Sequence, residues 1–282
     1  MTDRVKALTK PSHGVLATRL SAAAAPVEGS VIRTDGDGLV EGEFTVMSSD
    51  FDVPVYYAKP AAAGDTFPVV LVVSEVFGVH AHIADVCRRF AKRGYLAMAP
   101  DLFARLGDAS AFASLADLMS EVVSKTPDAQ VIADLDAVAA VAGRFGGDSE
   151  RLAMTGFCWG GRITWLYVAH SANVKAAVAW YGRLDGPVSS NSPVHPVALT
   201  RQLQAPVLGL YAGHDPVVPM EHVALMRSAL EHGNANARSS RIDIYPDAGH
   251  AFFADYRESY READALDGWS KCLAWFASHA VA

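Results

Sequence analysis

The stretch that most constrains this chain is residues 151–167, RLAMTGFCWGGRITWLY. A β-prone apolar run enters Gly156-Phe157-Cys158-Trp159-Gly160-Gly161, and helical periodicity begins with no spacer. So abrupt a connection requires glycine at 156 and 160, because side chains there would collide with the neighbouring strand and helix. Cys158 is then held out on a strained, exposed turn, in the G-x-S-x-G elbow pattern with cysteine in place of serine. The helix N-terminus behind it favours thiolate over thiol. The segment predicts a strand, a tight turn and a helix, with a reactive thiol at the turn.

The surrounding pattern supplies a sheet for that unit. β-Prone runs occupy residues 53–58, 69–73, 95–99, 151–155, 176–180, 206–211 and 241–245. The run VVLVV at 69–73 is apolar on both faces, which places it deep in the sheet. Ile83, Val86, Cys87 and Phe90 trace a helical stripe stopped by Gly94, and Val131, Leu135, Val138 and Ala142 trace another. Further helices are expected near 160–170, 219–232 and 261–278. Alternating strands and helices indicate an α/β fold, a mostly parallel central sheet with helices on both faces. With no internal repeat or low-complexity linker, residues 43–282 read as one domain. Residues 1–42 form an alanine-rich N-terminal arm. Lys6 and Lys10 ahead of residues 14–25 look like a leader, but Arg19 leaves the apolar segment too short. The proline-rich stretch 182–204 reads as a loop over the sheet's carboxyl edge, where ligands of open α/β sheets bind.

A thiol nucleophile needs a base, and the base needs an orienting acid. After the strand at 206–211, Ala212-Gly213-His214-Asp215-Pro216 puts a carboxylate on a strand-end turn. After the strand at 241–245, Pro246-Asp247-Ala248-Gly249-His250 puts a histidine on the next. Nucleophile, acid, histidine is the α/β-hydrolase chain order. His250 is preferred to His214, whose adjacency to Asp215 makes a facing pair awkward. The oxyanion hole is assigned to the backbone N–H groups of Trp159 and Val76, the latter in the loop Ser74-Glu75-Val76-Phe77-Gly78. Glu75, an acid among Val73, Val76 and Phe77, calls for a functional role. Phe77 and Tyr181 are candidate pocket residues.

Taken together, S-E-V-F-G, A-P-D-L-F-A-R, G-F-C-W-G-G, G-H-D and A-G-H-A-F-F resemble the dienelactone hydrolase family from about residue 53 to 276. The resemblance implies an α/β-hydrolase domain with Cys158, Asp215 and His250 as triad. It also implies that Glu75 contacts the cysteine and helps control its ionisation, and that Arg105 holds a substrate carboxylate. The family's reaction opens an enol-lactone without metal or organic cofactor. Two positions depart from its pattern: a serine after the histidine and an arginine three residues later are here Ala251 and Ala254, and the nearest downstream arginine is Arg257.

Composition narrows the alternatives. A net charge of −7 with no basic run argues against nucleic-acid binding. No apolar stretch approaches the roughly 18 residues of a membrane span. Three cysteines without a C-x-x-C argue against structural zinc and a disulfide framework, and point to a reducing, cytoplasmic setting. Cys87 and Cys272 lie on apolar stripes and read as packing residues. His80 and His82 lack an evident third ligand and read as a polar helix start, and Asp101 as a cap on the loop after its strand. The expected protein is a cofactor-free, metal-free cysteine hydrolase acting through a thioester on a small lactone or activated ester, an anionic one where Arg105 holds a carboxylate. The alternatives are a broad carboxylesterase or thioesterase and, more remotely, a ligand receptor on a hydrolase fold. Nothing in the sequence specifies an oligomeric state.

Overall fold

The computed structural model describes residues 5–7, 20–62 and 66–282, so much of the leader-like stretch lies outside the described residues. The strands are β1 (Val5–Ala7), β2 (Leu39–Ser48), β3 (Phe51–Pro60), β4 (Phe67–Val73), β5 (Leu96–Pro100), β6 (Gly147–Phe157), β7 (Val174–Trp180), β8 (Val207–Ala212) and β9 (Arg241–Tyr245). The helices are α1 (Ala81–Ala91), α2 (Leu115–Glu121), α3 (Asp128–Val141), α4 (Trp159–His170), α5 (Met220–Glu231), α6 (Ala235–Ser239) and α7 (Glu262–Ser278). The described strands form one sheet in the order β1-β2-β3-β5-β4-β6-β7-β8-β9. The pairs from β1 through β3 to β5 are antiparallel, and the remaining pairs are parallel.

All seven residues of β4 are buried, as an apolar run covered on both faces must be. On one face α1 and α7 bring Cys87, Phe90, Cys272 and Phe276 into a single apolar cluster. On the other, α3, α4 and α5 contribute Val131, Leu135, Val138, Trp165 and Met226. Both cysteines are fully buried packing residues, as expected. The expected domain start at residue 43 falls inside β2, which pairs with β3 from Leu39 opposite Pro60 to Ser48 opposite Phe51. Gly42 interrupts the strand's sequence signal, but the ladder runs through it. The short helices α2 and α6 were also not anticipated.

The topology brings several strand ends together. From β4 the chain crosses through α1 to β5 on one side, whereas β6 pairs with β4 on the other. The loops after β4 and β6 therefore diverge at a switch point, where open α/β sheets form their ligand crevice. Register aligns Val73 with Gly156, Phe157 with Trp180, Trp180 with Leu210, and Ala212 with Tyr245. Glu75, Cys158, Tyr181, Asp215 and His250 all follow these ends.

The loop 182–204 is anchored as well as superficial. Arg162, four residues beyond Cys158 on α4, makes two hydrogen bonds to Asp128 at 2.7 and 2.8 Å and one to the Val194 carbonyl at 2.7 Å. Its Nε donates to His195 Nδ1 at 3.3 Å, so the ring proton sits on Nε2 and is donated to the Pro187 carbonyl at 3.0 Å. A buried charge on the elbow helix thus fixes the loop beside it.

Asp101 caps the turn after β5, accepting from the Phe103 N–H at 3.2 Å. Burial pushes its pKa from 3.8 to about 7; the Phe103 bond opposes this and the Asp108 charge adds to it. The folded form therefore holds a proton that the unfolded chain releases sooner. This contribution to stability is complete below pH 3.8 and is lost as pH rises through about 7. Asp101→Asn is expected to flatten that decline, measured as urea midpoints at about pH 4 and about pH 9.

Candidate active site

Cys158 has φ 54° and ψ −113°, a conformation costing a non-glycine residue about 1–3 kcal/mol. Its neighbours enforce it. A β-carbon on Gly156 would lie 2.2 Å from the Gly160 carbonyl oxygen, and one on Gly160 would lie 2.4 Å from that of Val73. The elbow is therefore wedged against the end of β4, which places the Ser74–Val76 loop beside it. The Cys158 N–H donates to the Trp180 carbonyl at 3.0 Å, tying the turn to β7. Trp159 opens α4, so its N–H belongs to the first turn that a helix leaves without an internal partner. Val76 is buried in the adjoining loop.

His250 and Asp215 meet as their chain order implies. His250 Nδ1–H donates to Asp215 Oδ2 at 2.8 Å. Asp215 Oδ1 accepts from the N–H groups of Val217 at 2.7 Å and Val218 at 3.1 Å, which fixes the carboxylate plane. Burial alone would lower the His250 pKa. The Cys158 charge, the hydrogen bonds to Asp215 and Cys158, and the Asp215 charge outweigh it and push the imidazole up to about 10. An imidazole bonded to a carboxylate on one side and under the influence of a nearby sulfur can shuttle a proton to and from that sulfur.

Tyr181 follows the end of β7 at φ 39°, and its ring meets that of His250 edge-on at 5.2 Å. Its buried hydroxyl has no hydrogen-bond partner among the described residues. Burial first, and then the Glu75 and Cys158 charges, raise its pKa well above the ordinary value, against an opposing contribution from Arg257. Glu75 is 1% exposed, with Oε2 bonded by the Tyr256 hydroxyl and Oε1 buried without a partner among the described residues. Its hydrogen-bond partner is thus Tyr256, where the expectation was Cys158.

Arg105 does not take its expected place. Its guanidinium grips the fully buried Asp134 through both terminal nitrogens, one at 2.9 Å, donates to the Ser48 carbonyl at 3.2 Å and stacks 4.7 Å from the Phe51 ring centre. A group so engaged braces α3 against the hairpin of β2 and β3, which corrects its assignment to a substrate carboxylate. Arg257 has its guanidinium 5.7 Å from the Phe77 ring centre, and its charge acts on both Tyr181 and Tyr256. Phe77 itself is 2% exposed and belongs to the apolar cluster on the α1 and α7 face.

Tyr256 was missed by sequence reasoning. One signal was present: Asp255 is a lone acid in A-F-F-A-D-Y-R, and an acid in an apolar run must be paired when buried. His80 caps α1 by accepting from the His82 N–H at 3.4 Å, as its reading as a polar helix start implied. Among the described residues no cluster of three or more histidine, cysteine or acidic side chains could hold a metal ion. No helix there is long and apolar enough to cross a membrane.

Relatives carry the same arrangement of sequence over most of their length. A Salmonella typhi protein named "Putative carboxymethylenebutenolidase" is 54% identical over 257 residues, covering 91% of this chain and 94% of its own. One of the same name from Methylorubrum extorquens is 51% identical over 269 residues, covering 95% and 91%. A Klebsiella pneumoniae crystal structure titled "Putative Dienelactone Hydrolase" superposes with a TM-score of 0.83 at 54% identity, covering 86% of this chain and 99% of that one. The model of the dienelactone hydrolase family matches residues 53–280, and with these relatives it establishes that the chain belongs to the dienelactone hydrolase family and has its α/β-hydrolase fold.

Proposed function

We propose that the protein is a cofactor-free cysteine hydrolase that opens a small anionic lactone or activated ester through a thioester on Cys158. The observation that carries this reading is the strained elbow that holds Cys158 at the strand end, with His250, oriented by its 2.8 Å hydrogen bond to Asp215, close enough for the Cys158 charge to raise its pKa. In the first half-reaction His250 accepts the Cys158 proton and sulfur attacks the ester carbonyl carbon. The N–H groups of Trp159 and Val76 stabilise the resulting oxyanion. The ring C–O bond then breaks, the leaving oxygen takes the proton from His250, and the acyl group remains on sulfur. In the second, His250 takes a proton from water, the hydroxide oxygen attacks the thioester, and the thiolate leaves.

A carboxylate on the substrate needs a cation in a chain of net charge −7, and Arg257 beside Phe77 is the guanidinium for it. Broad esterase activity is the second reading, favoured by Arg105 being engaged by Asp134. A panel of carboxylated lactones and neutral aryl esters separates the two. Arg257→Ala is expected to reduce kcat/KM for the carboxylated substrates by about 10- to 100-fold, with far less effect on neutral esters. Arg105→Ala should lower both equally, through a stability loss of about 3 kcal/mol as Asp134 is left buried and unpaired. Equal losses for both substrate classes in Arg257→Ala would favour the broad esterase.

A further inference from the structure

The turn that follows His250 is held more firmly than a pocket wall requires. Asp255, fully buried, accepts from His82 Nδ1 at 3.2 Å and from Arg89 Nη2. Arg89 Nε donates in turn to Asp85 at 2.6 Å, and Asp85 accepts the Thr34 N–H at 2.6 Å. The next residue, Tyr256, is bounded on several sides. Its carbonyl accepts the Val27 N–H at 2.8 Å, and its ring lies 5.0 Å from that of His80 and 4.9 Å from that of His82. His80 is fully buried, which pushes its pKa down to about 3, so it faces Tyr256 as a neutral ring. Everything that touches Tyr256 restricts where its hydroxyl can be, and that hydroxyl donates to Glu75 Oε2.

We propose that Tyr256, held by the buried Asp255 cluster, is a positioning residue that fixes the Glu75 carboxylate beside the nucleophile and so sets the pH at which Cys158 reacts. The inference rests on the cysteine reading above. A phenol donating to a buried carboxylate favours its charged form, and a negative charge near a thiol opposes thiolate formation. Without the hydroxyl, a carboxylate buried among apolar groups keeps its proton over a wider range of pH. The opposition to the thiolate then weakens. The other charged or titratable groups around the site are His250 and Asp215 from the two strand-end turns, Tyr181 from β7, Arg257 from the same turn as Tyr256, and His80 from the start of α1. None of them changes between the variants compared below.

The test is the rate of iodoacetamide alkylation of the folded protein against pH, followed by intact mass. Cys87 and Cys272 are fully buried, so the readout is confined to Cys158. Tyr256→Phe keeps the ring against His80 and His82 and removes only the hydroxyl. Its alkylation curve is expected to move to lower pH by about half a unit or more. Glu75→Gln should move the curve in the same direction, and the double variant should move no further than Glu75→Gln alone. The pH dependence of kcat for Tyr256→Phe should move to lower pH in step with the alkylation curve, with little change in KM. A Tyr256→Phe curve that superimposes on that of the parent protein would overturn the proposal, as would additive shifts in the double variant. Failure of the cysteine reading is separately visible: Cys158→Ala would then hydrolyse substrate normally, whatever the alkylation curves do.

Discussion

Cys158→Ala is expected to lower kcat by about 10⁴-fold or more on every ester tested, while leaving the fold and its unfolding midpoint close to those of the parent protein. Alanine keeps the β-carbon, so the elbow's φ of 54° and the contacts of Gly156 and Gly160 are undisturbed. What is lost is the sulfur whose charge helps raise the His250 pKa and which, in the proposed mechanism, carries the acyl group. Cys87→Ala is the matching control. That sulfur is fully buried on α1 away from the strand ends, so its removal should cost about 1–3 kcal/mol of stability with little direct effect on turnover. Rapid quenching of the parent enzyme with a slow ester should leave the acyl mass on the peptide containing Cys158, and the Cys158→Ala protein should show none. Retention of most of the activity in Cys158→Ala would remove the elbow cysteine from the reaction, and an acyl group found elsewhere would relocate the nucleophile.

How far the site could be read from sequence depended on how local the physics was. The elbow was legible because part of its constraint is steric and local: a β-carbon on Gly156 would meet the Gly160 carbonyl four residues on, whereas the one on Gly160 would meet the Val73 carbonyl of β4. Asp215 and His250 were legible because each follows a β-prone run, and the parallel register carries both strand ends to the edge where Cys158 lies. Arg105 was misassigned for the opposite reason. Its neighbours place it after a strand end, but its partner Asp134 is 29 residues away on α3, and Phe51 lies on the hairpin strand β3. Which carboxylate a guanidinium reaches is a property of packing, and no local pattern records it. Glu75 was singled out as an acid in an apolar loop, yet its partner Tyr256 is 181 positions away. The fold shows the same division: β4 announced itself by the five-residue apolar run at 69–73, whereas β2 crosses Gly42 and becomes visible as a strand only through its ladder with β3.

Asp215→Asn is expected to lower kcat by about 10³- to 10⁴-fold, although the substitution alters a single atom's identity and leaves the side-chain volume nearly unchanged. The reason lies in the second oxygen. Asp215 Oδ1 accepts from the N–H groups of both Val217 and Val218, and only an oxygen can serve there. An asparagine must therefore keep its carbonyl oxygen toward those two donors and turn its NH2 toward His250. A donor now faces Nδ1, which must give up its hydrogen and accept, so the neutral ring carries its proton on Nε2. The ring then presents a hydrogen, where the proposed first step needs a lone pair to take the proton from Cys158. The substitution also removes the Asp215 charge and hydrogen bond that help push the His250 pKa up to about 10. The imidazolium should then be lost at lower pH, and whatever activity survives should fall away sooner as the solution is made alkaline. Both effects are read from one experiment, the pH dependence of kcat for Asp215→Asn beside that of the parent enzyme. A profile of unchanged height and shape would mean that Asp215 serves only to hold the turn after β8, and the base would have to be oriented by something else.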